Sequence, residues 1–168
     1  MQQLINRSDI AEYAQISDTV YDNVLKQHIN LAQFVDVQKL MGVDFYNDMI
    51  RNSTDVKYTA LLEGADYTYS GTTYTNEGLK SVLVHYAYGR YILHGSQTDT
   101  PFGYVEKLSQ DSEKVDIAQK KSTAKMYQTT AFNYWENVKL FLDRNESTYP
   151  LWKNSCITQQ RLFRIRKI

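Results

Sequence analysis

Residues 112–145 read SEKVDIAQKKSTAKMYQTTAFNYWENVKLFLDRN and lie within the longest stretch of the chain without a glycine or proline, residues 104–149. In its second half Ala124, Tyr127, Ala131, Tyr134, Val138 and Phe141 recur at alternating spacings of three and four, the period of an α-helical a/d seam. Trp135 and Leu142 widen that face. The first half carries Lys114, Asp116, Gln119, Lys120, Lys121 and Lys125 and has little apolar surface of its own. The pattern predicts one long helix that docks by its second half and projects by its first; the alternative is a helix packed within the chain from end to end, with one well-hydrated face. A solvated run of several turns is marginal alone and gains stability from a neighbour.

The same period governs the region before it. Between Asn76 and His94, Leu79, Val82, Leu83, Tyr86, Ala87 and Leu93 form a stripe, with Glu77 in the expected first turn and Gly95 after the last. This predicts a central helix, in which Gly89 leaves room for a close crossing. Upstream, a short helix is expected near Ser8–Tyr13 with Ser8 as cap. A longer region follows, with Val24, His28, Leu31, Val35, Gln38 and Phe45 at roughly helical spacing, Ile29 and Ala32 on its flank, and a break at Gly42. Thr54 or Asp55 opens another short helix ending near Gly64.

Two segments change period. Asp66-Tyr67-Thr68-Tyr69 and Thr72-Thr73-Tyr74 flank Ser70-Gly71, which predicts a hairpin over 66–75. Thr98–Gly103 is expected as a loop around Pro101, with an extended connector after it. Tyr149-Pro150-Leu151-Trp152 ends the long helix and is expected to fold back over the core. Beyond it, residues 153–168 read as a basic tail in which Phe163 and Ile165 alternate with Arg164 and Arg166, the pattern of an extended chain able to pair with a sheet edge; a disordered basic tail is the alternative. The fold class is therefore mainly α: a helical bundle with one long helix in its C-terminal half, a small β-hairpin and an extended C-terminal tail. The expected organisation is a helical domain over 1–152 and a separate tail over 153–168.

Composition narrows the function. The chain has 168 residues, 19 basic and 19 acidic side chains, 14 tyrosines and one cysteine. Charge is unevenly spread: the last 22 residues carry Lys153, Arg161, Arg164, Arg166 and Lys167 and no acid. That asymmetry favours head-to-tail contact or an acidic partner. No intramolecular disulfide is possible with Cys156 alone, and no apolar run approaches a membrane span. The opening residues lack a signal-peptide pattern, so synthesis inside a cell without export is the simplest expectation. His28, His85 and His94 are scattered, and neither a metal-binding motif nor a phosphate-cradling glycine loop is present. These features predict no enzyme, no cofactor and no metal. The candidate sites are surfaces instead: Tyr67, Tyr69, Tyr74, Tyr127 and Tyr134 for a subunit interface; Lys114, Lys120, Lys121 and Lys125 for a channel or DNA-facing side; and Phe163, Arg164, Ile165 and Arg166 for tail docking.

The order of short signatures resembles the head–tail connector, or adaptor, proteins of tailed bacteriophages. They are Leu4-Ile5-Asn6-Arg7-Ser8-Asp9-Ile10, Leu61-Leu62-Glu63-Gly64, Gly78-Leu79-Lys80, Tyr86-Ala87-Tyr88-Gly89-Arg90, Thr100-Pro101-Phe102-Gly103 and Tyr149-Pro150-Leu151. The resemblance spans roughly Leu4 to Trp152. It implies a helical-bundle subunit of a ring, often of about twelve copies, beneath the portal. It also implies a location at the head–tail junction of a virion built in the host cytoplasm. The implied partners are the chain itself, the portal protein, the next tail component and double-stranded DNA passing through the channel. A small DNA-binding or DNA-packaging accessory protein is the alternative.

Overall fold

A computed structural model describes residues 2–17, 20–95, 97–101, 103–106 and 115–152. The predicted tail residues Phe163, Arg164, Ile165 and Arg166, together with Lys114, lie outside the described residues. The fold is mainly helical, with a long helix and a small antiparallel hairpin as the sequence predicts.

Helix α1 (Arg7–Tyr13) is opened by Asn6, not Ser8. The Asn6 side chain accepts from the Ser8 and Asp9 amides while Asp9 accepts from the Asn6 amide. This reciprocal capping box satisfies amides that a helix end leaves bare. Next come α2 (Asp22–Leu31), a π-helix (Ala32–Val37), α3 (Gln38–Met41) and, after a break at Gly42, α4 (Val43–Arg51). The stripe facing the core here differs from the expected one. Leu25, Ile29, Gln33, Val37, Met41 and Phe45 are each at most 2% exposed and lie four residues apart. An α-helix drifts roughly 40° per step of four and would turn such a row out of the core within two or three steps. The wider π turn and the break at Gly42 correct that drift. They also push Leu31, Phe34 and Val35 into solvent, although Leu31 and Val35 look like core residues at 3.5-residue spacing.

Gln33, fully buried in the π turn, finds its partners in the N-terminal segment. Its side-chain oxygen accepts from the Leu4 amide at 2.9 Å, and its amide donates to the Gln2 carbonyl at 3.2 Å and the Tyr46 hydroxyl at 3.4 Å. Buried amides of this kind are tolerated because they are bonded. Here they also seat Leu4 and Ile5 in the core.

Helix α5 (Val56–Glu63) leads into strands β1 (Ala65–Tyr69) and β2 (Thr72–Asn76), paired Ala65↔Asn76 through Tyr69↔Thr72. Helix α6 (Leu79–His94) follows and is buried almost all round: Leu79, Ser81, Val82, Leu83, Val84, His85, Ala87 and Gly89 are all covered. It is packed by α1, α2, the π-helix, α5 and, above all, α7 (Ile117–Arg144). Where α6 and α7 cross, a Cβ added to Gly89 would lie 3.2 Å from the Ala124 carbonyl oxygen and 3.2 Å from the Tyr127 Cβ. The glycine therefore sets the close approach that its place in the stripe suggested.

Between these helices the expected loop is replaced by a second ribbon. Strands β3 (Gln97–Thr100) and β4 (Gly103–Glu106) pair antiparallel. Pro101 sits in the turn, where its fixed φ is accommodated and no strand amide is lost. After α7 the chain folds back as predicted. Tyr149 and Trp152 are buried, the Tyr149 hydroxyl donates to the Lys57 carbonyl at 2.6 Å, and the Trp152 indole N–H donates to Asp143 at 2.8 Å. Burial pushes the Tyr149 phenol up to about 12.

The first hairpin leaves the body through a narrow neck. Gly78 has φ +82, and a Cβ placed on it would meet the Gly64 nitrogen and the Leu62 carbonyl oxygen at 2.5 Å. Both obstacles are backbone and cannot rotate away. The Asn76 side chain bridges the same neck, donating to the Ala60 carbonyl and accepting from the Gly78 amide. Gly71, at the hairpin tip, has φ +81 but nothing within 4 Å of the added carbon. Both alanine variants carry the backbone strain of about 1–3 kcal/mol, and only Gly78→Ala adds a steric clash. Urea denaturation should therefore rank Gly78→Ala clearly below Gly71→Ala in stability.

Candidate interaction surfaces

The five tyrosines assigned to an interface fall into two groups, each engaged within the chain. Tyr67, Tyr69 and Tyr74 share one face of the β1–β2 hairpin because alternate residues of a strand point the same way. Tyr67 stacks on Tyr74 at 5.6 Å and meets Phe141 edge-on at 5.1 Å. The guanidinium of Arg144, in the last turn of α7, lies 4.0 Å from the Tyr74 ring centroid, 4.9 Å from that of Tyr69 and 5.9 Å from that of Tyr67. It also donates to the Tyr67 hydroxyl at 3.1 Å. A cation over aromatic faces is attracted by the ring quadrupoles, so Arg144 joins the Tyr67–Phe141 contact in holding the hairpin to the end of α7. Tyr69 keeps the most open surface of the three. The opposite face presents Asp66, Thr68, Thr73 and Thr75, all exposed, with the Thr75 hydroxyl donating to Asp66.

Tyr127 and Tyr134 line α7 on either side of the buried His85 ring, at 5.9 and 5.0 Å. Tyr13 from α1 meets the same imidazole edge-on at 5.5 Å, and Tyr88 packs on Tyr127 at 4.9 Å. His85 Nδ1 lies 2.6 Å from the Ser81 carbonyl oxygen, which fixes Nδ1 as the protonated nitrogen. Three helices thus converge on one imidazole, and the tyrosines fill the space around it.

The lysines separate by helical register. Lys121 and Lys125 are exposed, one turn apart on one flank of α7. Lys120 stands one turn before the buried Ala124, on the extension of the core-facing stripe, and is half-buried. Of the lysines predicted to share a side, the three described ones, Lys120, Lys121 and Lys125, are therefore not all on one side, because consecutive residues diverge by about 100°.

Apolar side chains remain uncovered on both major faces. On α7, Ile117 is 57% exposed and Met126 56%, with Phe132 and Leu140 also open. On the α2–π segment, Leu31, Phe34 and Val35 form a second patch, the Phe34 ring leaning on Tyr46. Sequence periodicity missed this second patch because the π turn that creates it is invisible at a period of 3.6. The signal that would have found it is the run of fourth residues from Leu25 to Phe45. Arg144 was missed for another reason: a basic residue in a last helical turn is commonplace, and only the fold brings the hairpin over it.

Among the described residues no three metal-ligating side chains come together, and no helix is long and apolar enough to cross a membrane. Arg90 forms a two-point ion pair with Asp36 of the π-helix, at 2.8 and 2.9 Å, and Lys80 bridges Asp9 and Glu63. These charges tie elements together.

The model of the DUF6712 family, a family of unknown function, matches residues 37–161, and the chain belongs to that family. The matched span opens at the last residue of the π-helix and takes in both ribbons, α6 and α7. No curated protein and no solved structure matches the chain.

The two buried histidines set an acid limit on the fold. Burial pulls the His85 imidazole below the usual histidine range, against the opposing pull of the Ser81 carbonyl. Burial also lowers His28, aided by His94 and Arg90 nearby. The folded chain thus prefers both rings neutral, whereas the unfolded chain takes up protons below about pH 6.5. Stability is complete above that pH and falls as pH drops through it, by at most about 1.4 kcal/mol per pH unit for each ring. Thermal melts between pH 7.5 and 5 should show this slope. His85→Phe should flatten it, even though the variant is less stable at neutral pH.

Proposed function

We propose that this chain is a structural subunit of a multimeric ring: a head–tail connector that joins portal to tail and continues the DNA channel. The resemblance of its ordered signatures to connector proteins suggests this role, and the exposed apolar side chains of α7 carry it physically. On a helix 28 residues long, Met126, Phe132 and Leu140 lie on the outward half, away from the core-facing stripe, and gain from a covering surface. The second patch, at Leu31, Phe34 and Val35, suits a heterologous contact, in which each copy offers two different faces and repetition closes a ring. The reading is structural, and no residue is assigned to catalysis.

A DNA-packaging or DNA-binding accessory role is the second reading, favoured by the exposed pair Lys121 and Lys125. In a ring that pair would be repeated around a lumen and would give a field that acts on phosphates without reading sequence.

Native mass measurement of the protein co-expressed with its portal protein tests the proposal. A complex with about twelve copies of this chain is expected. Met126→Asp combined with Phe132→Asp should abolish the complex while the isolated subunit still melts cooperatively. Failure to form any oligomer or portal complex at micromolar concentration would contradict the ring. Tight, salt-dependent filter binding of DNA by isolated monomers would favour the second reading.

A further inference from the structure

The β1–β2 ribbon has two unlike faces and, among the described residues, no third strand. Ser70 and Gly71 both have positive φ, which defines a two-residue turn of the primed type. In such a hairpin the pair flanking the turn is hydrogen-bonded, and bonded and non-bonded pairs then alternate. With the observed register, Tyr69↔Thr72, Tyr67↔Tyr74 and Ala65↔Asn76 are the bonded pairs. The peptide groups of Asp66 and Thr68 therefore point outward along the free edge of β1, and those of Thr73 and Thr75 along β2. Side chains of both strands reach α7, but the β2 backbone runs nearer to it, and Asp66 and Thr68 of β1 are exposed, which leaves the β1 edge the more open. Unpaired edges of this kind invite another strand.

We propose that the β1 edge is the docking site for residues 161–168 of the same molecule, added as a third strand. Reach, charge and side-chain pattern support this occupant. Three residues before Trp152, the last described residue, Tyr149 contacts Phe141 at 5.8 Å, and Phe141 contacts Tyr67 of β1 at 5.1 Å. The eight residues 153–160 span up to roughly 26 Å, enough to bridge that gap. The first 146 residues hold 14 basic and 19 acidic side chains, and the last 22 hold five basic and none acidic. An added strand presents alternate side chains to the two faces of the ribbon. One register sets Phe163 and Ile165 beside Tyr67 and Tyr69, and Arg164 and Arg166 beside Asp66 and Thr68. Each face of the added strand would carry two cations in either register, so their position along the strand decides. In this antiparallel alignment Arg161 and Lys167 flank the aromatic face at its ends, opposite Gly71 and Ala65, whereas a slip of one residue would set Arg164 and Arg166 against the rings that already hold the Arg144 guanidinium. The contact covers an exposed edge in the free subunit, and it stands independently of the ring proposed above.

Nuclear magnetic resonance on the full chain tests it, in the isolated subunit without portal. A spin label is placed on Lys167→Cys in a Cys156→Ser background. Residues 65–69 should broaden more than the other exposed amides, and the Asp66 and Thr68 amides should exchange at least tenfold more slowly than in a Phe163→Asp/Ile165→Asp variant. Exchange of those two amides at unprotected rates in the full chain would overturn the proposal. So would broadening that appears only when labelled and isotope-enriched molecules are mixed, since that would place the strand on a second copy.

Discussion

The structure depends on the burial of one helix on nearly every side. Helix α6 has no solvated stripe of the usual width, and Leu79, Val82, Leu83, Val84 and Ala87 point to different neighbours. A helix that is apolar all round must be enclosed. Each neighbouring element follows from that requirement. Helices α1, α2 and α5 cover parts of it, the π-helix covers another, and α7 lies along it through the gap left by Gly89. Because α7 continues past the end of this contact, its first turns have no core to rest on, and Ala124 marks where packing begins.

Enclosure of α6 also organises the aromatic side chains. Trp135, Trp152, Phe45, Tyr58, Tyr149, Phe141 and Tyr67 form a continuous series of ring contacts from the C-terminal segment to the hairpin. The Tyr58 hydroxyl donates to Asp48, and burial, reinforced by that bond, holds the phenol protonated far above the ordinary tyrosine range. Much of the unusual tyrosine content is therefore spent inside the molecule. Large rings with one polar tip fill space between helices and still find a hydrogen-bond partner.

Most of the helical framework was legible in the sequence because its elements obey simple periods. The α6 stripe, the α7 seam, the hairpin turn at Ser70-Gly71, the break at Gly42 and the return of Tyr149–Trp152 all follow from local rules. The misreadings have physical causes. The α2–α4 region buries every fourth residue, a period that an α-helix cannot hold, so the outward turn of Leu31 and Val35 follows from a π-helix that a period of 3.6 residues does not reveal. Asn6 displaced Ser8 as cap because its partner Asp9 stands three residues on. The β3–β4 ribbon is built from short polar segments whose pairing is decided by the turn at Pro101. The candidate surfaces were only partly legible: Tyr69, Lys121 and Lys125 are open, whereas the rings of Tyr67, Tyr74, Tyr127 and Tyr134 face into their own chain through contacts made between distant elements.

The proposed role joins these features. A rigid body centred on α6 leaves scattered apolar side chains exposed on the outward half of α7 and an apolar patch exposed on the α2–π segment. Amide hydrogen exchange of the isolated subunit tests most directly whether packing on α6 sets the stability of the whole. Amides of α6 and of α7 after Ala124 should exchange only through global unfolding, and those of α7 before Ala124 should exchange faster by several orders of magnitude. Equal protection along the whole of α7, or early exchange within α6, would contradict it.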